Sequence, residues 1–98
     1  GVFPIGGVRT RAERRDVFAI ADGDPQNAFC AILIRIGRGR DEATRARVSK
    51  AVLATLAEET AVAFAKRGLS LSVEIQEIDE AGAARKNNLH ERLANRKD

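Results

Sequence analysis

The longest stretch of this 98-residue chain without glycine or proline contains residues 42–67. Alanine is frequent in it, and its apolar residues fall on one side at helical spacing. Asp41 before the segment is a favourable N-cap, and Gly68 after it is a favourable residue at which to end a helix. The pattern predicts one long helix over residues 41–67. The predicted apolar stripe consists of Val48, Ala51, Val52, Thr55, Leu56, Val62 and Ala63.

Strand patterns lie on both sides of this helix. Residues 28–36 are nearly all apolar, which is typical of a strand buried on both faces. Residues 69–76 alternate between apolar and polar side chains, as a half-buried strand does. Strand, helix and strand in this order predict a βαβ unit with parallel strands. The predicted fold class is therefore α+β, with residues 28–36 and 69–76 in one sheet covered by the helix.

Shorter elements are expected outside the βαβ unit. Residues 8–12 alternate so that Arg9 and Arg11 share one face, which predicts a strand with one charged face. Residues 17–20 are a candidate second strand, paired back through a turn near Arg14 and making the sheet mixed. The composition of residues 22–25 indicates a turn. The polar tail carries a short predicted helix near residues 90–93.

Length and composition narrow the class of protein. A chain of 98 residues is expected to form a single domain, residues 1–98, with a thin core, to which oligomerisation would add buried area. No apolar run approaches the roughly 20 residues that span a bilayer, and the first residues do not resemble a signal peptide. The single Cys30 excludes an intrachain disulfide and fits a reducing cytosol. We therefore expect a cytoplasmic protein with no membrane partner.

A candidate anion site lies where the first strand meets the helix. The apolar run ends in Gly37 and Gly39, and Arg40 then precedes the capping Asp41. Backbone N–H groups at a helix N-terminus favour anions, and a guanidinium adds a bidentate partner for a carboxylate or phosphate. Thirteen of the 17 basic residues are arginine, which prefers planar anions. The pattern predicts a small-anion site; the alternative is a solvated arginine at a tight turn.

Other kinds of site find little support. Gly37 and Gly39 are half of a dinucleotide fingerprint, but the third glycine is missing. One histidine and one cysteine give no metal-ligand spacing, so neither a metal nor a cofactor is expected. Cys30 lies in an apolar run, which favours a packed and inert thiol. His90 in the polar tail is expected to be a solvated surface residue.

Nucleic-acid binding is a weaker alternative. Arginines cluster in residues 9–15 and 35–47, and the net charge is +3. However, the four aromatic residues are all phenylalanines, and most of them lie in stretches that indicate core, whereas RNA-binding sheets stack bases on exposed aromatics. Acidic residues also interleave with the arginines: Glu13, Asp16, Asp41 and Glu42.

Six segments, taken in chain order, resemble the 5-carboxymethyl-2-hydroxymuconate isomerase family of the tautomerase superfamily. Each segment is a weak match alone, but their order and their spread over nearly the whole chain make them specific together. Gly39-Arg40-Asp41 resembles the Gly-Arg pair that precedes the helix of the superfamily's βαβ unit. The six segments are residues 1–11, 20–23, 27–29, 35–40, 71–78 and 86–90.

The resemblance implies a cofactor-free isomerase of unsaturated dicarboxylates in the degradation of aromatic compounds, assembled as a homotrimer. In the family a neutral N-terminal proline is the base, and arginines bind the substrate carboxylates and polarise its enol or keto oxygen. Those arginines fall on Arg9 and Arg40 of this chain. We expect both to point into one pocket, to which neighbouring subunits of the trimer can contribute.

The chain departs from the family pattern at its start. Its opening residues match the middle of that pattern, so the first strand, the first helix and the N-terminal proline have no counterpart among the 98 residues. Pro4 and Pro25 are internal, and their amide nitrogens cannot act as bases. The chain is thus expected to be the C-terminal portion of a tautomerase-like subunit. The alternative to an isomerase is a non-catalytic trimeric module that keeps this fold.

Overall fold

The computed structural model describes residues 2–96. They fall into two compact units, one formed by residues 17–83 and the other by the chain up to Asp16 together with the chain from Ala84 onward. Along the chain, the strands are β1 (Ala28–Ile36) and β2 (Leu69–Glu77), and the α-helices are α1 (Glu42–Glu59), α2 (Ala61–Lys66) and α3 (Leu89–Ala94). Two short 3₁₀ helices are Ile5–Gly7 and Glu80–Gly82. None of the helices within residues 2–96 is both long and apolar enough to cross a membrane.

The unit of residues 17–83 is a βαβ unit, as predicted. Strands β1 and β2 pair in parallel, from Ala28 opposite Leu69 to Ile36 opposite Glu77. Helix α1 lies between them in sequence and packs against β2. The α+β class and the shared sheet of residues 28–36 and 69–76 are therefore confirmed.

The alternation along both strands places one face of the sheet in the core. Every second residue of β1, from Ala28 through Cys30 to Ile36, is at least half-buried, and so are the apolar residues of β2. Cys30 thus lies in the packed set, as expected. Ile36 is 6% exposed, and within residues 2–96 it is the most deeply buried apolar residue.

The other face of β1 is open, so the expectation that this strand is buried on both faces is wrong for the chain as described. Phe29 and Leu33 point to this face and are 51% and 54% exposed. A parallel strand becomes buried on both faces only when something covers each of them. Helix α1 packs against β2, and no element within residues 17–83 covers the face of β1 that carries Phe29 and Leu33.

The predicted long helix begins where expected but is interrupted. The Asp41 side chain accepts a hydrogen bond of 2.8 Å from the Thr44 N–H, as an N-cap does. At Thr60 the backbone leaves helical geometry and the side-chain hydroxyl donates to the Leu56 carbonyl at 2.7 Å. Such side-chain bonding to a preceding carbonyl bends helices. The segment forms two helices, α1 and α2, and Val62, predicted to lie on the apolar stripe, is 71% exposed.

The two short strands predicted before the βαβ unit are absent from the described chain. Residues 8–12 and 17–20 form no strand, and Val8 and Val17 are 52% and 97% exposed. Alternation makes a strand only where a partner offers hydrogen bonds, and residues 2–96 pair only β1 with β2. The sheet is therefore a parallel pair where a mixed sheet was expected. The turn near residues 22–25 and the short helix near residues 90–93 are confirmed.

The N-cap of α1 leads to a prediction about pH. The hydrogen bonds from Thr44 hold the pKa of the Asp41 carboxyl below its ordinary value, so the folded state favours the ionised cap. This contribution to stability is present above the unfolded-state pKa and is lost as the pH falls through the lowered folded-state pKa. Asp41→Ala should therefore lower the melting temperature at about pH 7, and the difference from wild type should shrink towards about pH 2.

Asp41→Asn is the matched control, because asparagine caps a helix without a charge. Its melting temperature at neutral pH should lie between those of the wild type and Asp41→Ala, and its difference from Asp41→Ala should not change with pH. A difference between wild type and Asp41→Ala that does not change with pH would show that the charge of the cap does not contribute.

Candidate functional site

The turn that carries Arg40 is held in place at its β1 end. The Ile78 N–H donates a 2.7 Å hydrogen bond to the Ile36 carbonyl, which fixes the last residue of β1. Gly39 then adopts φ +117°, a conformation that side-chain-bearing residues rarely take. The turn ends with the half-buried Arg40 directly before the N-cap Asp41. The predicted position of Arg40, between a strand and the start of a helix, is thereby confirmed.

The start of helix α1 contributes less to an anion site than the sequence suggested. The Asp41 carboxylate already accepts the N–H of Thr44, one of the free donors at the helix start. The lowered pKa of Asp41, caused first by Thr44 and further by the guanidinium groups of Arg47 and Arg45, keeps that carboxylate charged. A bound anion would therefore depend on the guanidinium of Arg40 more than on the backbone of the helix.

Arg45 connects the Arg40 turn to the end of β2. Its Nη1 donates a 2.8 Å hydrogen bond to the Arg40 carbonyl and lies 3.7 Å from Glu77 Oε2. The Arg45 and Glu77 side chains are about one-third exposed, at 32% and 34%. Arg45 was not among the predicted site residues. The sequence feature that could have identified it is a cation in the first turn of a helix, where the helix dipole disfavours positive charge.

Arg9 lines an open cavity in the other unit, although its segment is not a strand. The cavity has a volume of about 590 Å³ and two cationic groups on its wall, those of Arg9 and Lys86, with the carboxylate of Glu91 also present. Two cations and nearby amide groups can hold a carboxylate. Lys86 belongs to the tail motif of residues 86–90 but was not predicted to be a site residue. Among residues 2–96, the lining consists of Arg9, Lys86, Asn87, Asn88, Leu89 and Glu91.

The tail fastens the segment that precedes Arg9. The Asn87 amide Nδ2 donates to the Gly6 carbonyl at 2.9 Å, and its Oδ1 accepts the Leu89 N–H at 2.6 Å. Gly6 is buried, and a Cβ there would stand 2.5 Å from Nδ1 of His90. His90 is exposed, as predicted, yet its ring lies against the backbone of Gly6. We call these three residues, Gly6, Asn87 and His90, the tail clasp.

The clasp predicts different effects for two neighbouring asparagines. Asn87→Ala removes the partner of the Gly6 carbonyl and of the Leu89 N–H, which should cost about 1 kcal/mol and speed amide exchange in α3. Asn88→Ala is the control, since Asn88 is the N-cap of α3 but makes no side-chain capping bond. Hydrogen exchange measured residue by residue separates the two variants. Equal amide exchange rates of α3 in the two variants would contradict a role for the tail clasp in holding this helix.

Arg9 and Arg40 belong to different compact units, and a pocket shared by the two remains a proposal. A third arginine, Arg14, forms an exposed ion pair in which its Nε lies 3.6 Å from Asp16 Oδ1. This exposed position suits Arg14 as a comparison for the other two.

Comparison with known proteins defines the class. The family model of 5-carboxymethyl-2-hydroxymuconate isomerase matches residues 1–93. A 5-carboxymethyl-2-hydroxymuconate Delta-isomerase of Escherichia coli is 30% identical over 90 residues, which are 92% of this chain and 71% of that protein. The fold and the match together define an isomerase.

Two solved structures agree with this assignment. A 5-carboxymethyl-2-hydroxymuconate isomerase from Deinococcus radiodurans R1 is 42% identical, with a TM-score of 0.88 over 94% of this chain and 69% of that one. A second structure, a 5-carboxymethyl-2-hydroxymuconate delta-isomerase, is 30% identical with a TM-score of 0.79, over 94% of this chain and 67% of that one. The chain belongs to the 5-carboxymethyl-2-hydroxymuconate isomerase family.

Proposed function

We propose that this isomerase acts on an unsaturated dicarboxylate of the 2-hydroxymuconate type, in the breakdown of aromatic compounds in the cytoplasm. The names of its relatives supply the 2-hydroxymuconate part of this class; the compound they name, 5-carboxymethyl-2-hydroxymuconate, carries a third carboxylate on its carboxymethyl group. The reaction is a keto–enol tautomerisation, in which a proton leaves one carbon, a double bond shifts, and a proton returns elsewhere. No metal or organic cofactor is required for such a step.

Arg9 and Arg40 have two tasks in the proposed mechanism. One guanidinium binds a substrate carboxylate through paired N–H donors. The other stabilises the negative charge that develops on the enol or keto oxygen as the proton leaves carbon. The base is an N-terminal proline outside these 98 residues, and a cationic, partly apolar pocket would keep its amine neutral by lowering its pKa.

The placement of Arg40 is the observation that carries the proposal. Its backbone is held between the left-handed Gly39 and the capped start of α1, and Arg45 donates to its carbonyl. A fixed backbone limits the directions in which the Arg40 side chain can extend, which favours a specific ligand over a solvated surface role. The cavity lined by Arg9 offers a second cationic position for a ligand that carries two carboxylates.

The open face of β1 supports a homotrimer. Phe29 and Leu33 are about half exposed there, and contiguous apolar surface of this kind marks an interface. A two-stranded sheet is also marginally stable on its own. Sedimentation velocity at micromolar concentration should show a trimer, and a monomer would contradict the proposed assembly.

The proposed reaction has a direct test on the native protein. The protein is incubated with a 2-hydroxymuconate-type dienol in D₂O, and the reaction is monitored by proton NMR. The expected product is the conjugated ketone with deuterium at the carbon that becomes protonated. Intact-mass measurement and N-terminal sequencing should show a proline at the mature N-terminus. A native protein without that proline, which binds dicarboxylates but does not accelerate the shift, would instead be a non-catalytic module of this fold.

A further inference from the structure

We infer that Arg45 is a positioning residue that holds Arg40 in the orientation in which it binds a carboxylate. The inference rests on the proposed function of Arg40. Arg45 itself touches no ligand in this scheme and acts only through the backbone of the turn.

The contacts of Arg45 fix the Arg40 turn at its helix end. The turn of residues 37–40 leaves β1 at Ile36, whose carbonyl is already bound by the Ile78 N–H. The Arg45 guanidinium holds the Arg40 carbonyl at 2.8 Å. Both ends of the turn are thus tied to regular structure, which leaves the flexible Gly39 little freedom to rotate Arg40 away.

The charge of Arg45 stands in an unfavourable place for helix stability. Arg45 lies in the first turn of α1, where the partial positive charge of the helix opposes a cation. Glu77 at the end of β2 compensates at 3.7 Å, so the guanidinium is held between the helix and the sheet. A residue that is locally unfavourable, such as a cation at the start of a helix, and that is compensated by a partner elsewhere in the fold is typical of functional sites.

Space around the turn is limited on the opposite side as well. A Cβ on Gly37 would stand 3.2 Å from Oε1 of Glu80 in the 3₁₀ helix that follows β2. The turn therefore packs against the segment after β2 at Gly37 and is bound by Arg45 at Arg40. Removing the Arg45 contact frees the end of the turn that carries the ligand-binding side chain.

A double-mutant cycle tests the positioning role, with muconate, a stable unsaturated dicarboxylate, as the probe in titration calorimetry. Arg45→Met should weaken muconate binding about tenfold, because displacing a positioned group by about 1 Å can cost up to a hundredfold. In the Arg40→Ala background the same change should cost less than about twofold, since the residue it positions is gone.

The controls separate positioning from net charge and from misfolding. Arg47→Met removes an equal charge from the same helix and should leave binding within about twofold of wild type. If Arg45→Met does not fold by circular dichroism, Arg45→Lys replaces it. Lysine keeps the charge, but its side chain is one atom shorter than that of arginine. Its ammonium therefore does not reach the position from which Arg45 Nη1 contacts both the Arg40 carbonyl and Glu77, and binding should still weaken.

Equal losses from Arg45→Met in both backgrounds would overturn the inference, because Arg45 would then act independently of Arg40. Unchanged binding in Arg45→Met would also overturn it. If Arg40→Ala itself leaves muconate binding unchanged, that result contradicts the proposed function of Arg40. The proposed role of Arg45 is then contradicted as well, because it depends on Arg40.

Discussion

Replacing Arg40 with alanine is expected to weaken muconate binding by about ten- to a hundredfold, and replacing Arg9 should have an effect of the same order. Each change removes a charge-assisted, bidentate contact worth about 1.5–3 kcal/mol. Both side chains are long and polar and neither lies in the sheet core, so the variants should fold. Titration calorimetry measures the two affinities directly.

Arg14→Ala is the matched control for these two variants. It removes the same charge from an exposed ion pair with Asp16 and should change the affinity by less than about twofold. A loss of affinity shared equally by all three variants would indicate general attraction between a basic protein and an anion. If both Arg9→Ala and Arg40→Ala leave the affinity for muconate unchanged, these arginines are solvated surface residues and not part of a binding site.

The largest loss of stability is expected from Ile36→Ala, at about 2–4 kcal/mol. Ile36 is 6% exposed, ends β1 on its packed face, and immediately precedes the turn that carries Arg40. Truncation removes apolar burial and leaves a cavity beside the sheet. Urea denaturation measures the change in the free energy of unfolding.

Ile5→Ala makes the same chemical change at a site that is 75% exposed. It should cost less than about 1 kcal/mol, because little apolar area returns to water. Equal losses in the two variants would contradict the assignment of Ile36 to the core.

The βαβ unit could be predicted because its information is local. The apolar run of β1, the alternation of β2 and the N-cap Asp41 each specify an element from neighbouring residues alone. The break at Thr60 was not predicted, because the segment contains no glycine or proline at that point. The Thr60 hydroxyl bonds back to Leu56, but Thr55 makes the same kind of bond to Ala51 inside the uninterrupted α1, so this bond does not by itself break a helix. The alternation of residues 8–12 was real, but a strand also requires a partner, which sequence periodicity does not supply.

The site was predicted in part for the same reason. Arg40 stands out because two glycines and a capping aspartate surround it in sequence. The contact of Asn87 with Gly6 joins residues 81 positions apart, and no pattern in one sequence pairs them. The roles of Lys86 and Arg45 likewise become visible only in the folded chain. Lys86 lines the cavity of Arg9, and Arg45 donates a hydrogen bond to the Arg40 carbonyl.

The most direct test of the proposed site is NMR of the arginine side chains during a titration with muconate. In ¹⁵N-arginine-labelled protein, the Nε–H signals of Arg9 and Arg40 should shift together with one binding constant, while those of Arg14 and Arg47 stay in place. That result would place both guanidinium groups on one dicarboxylate. Shifts spread evenly over all arginines, or separate binding constants for Arg9 and Arg40, would contradict a shared site.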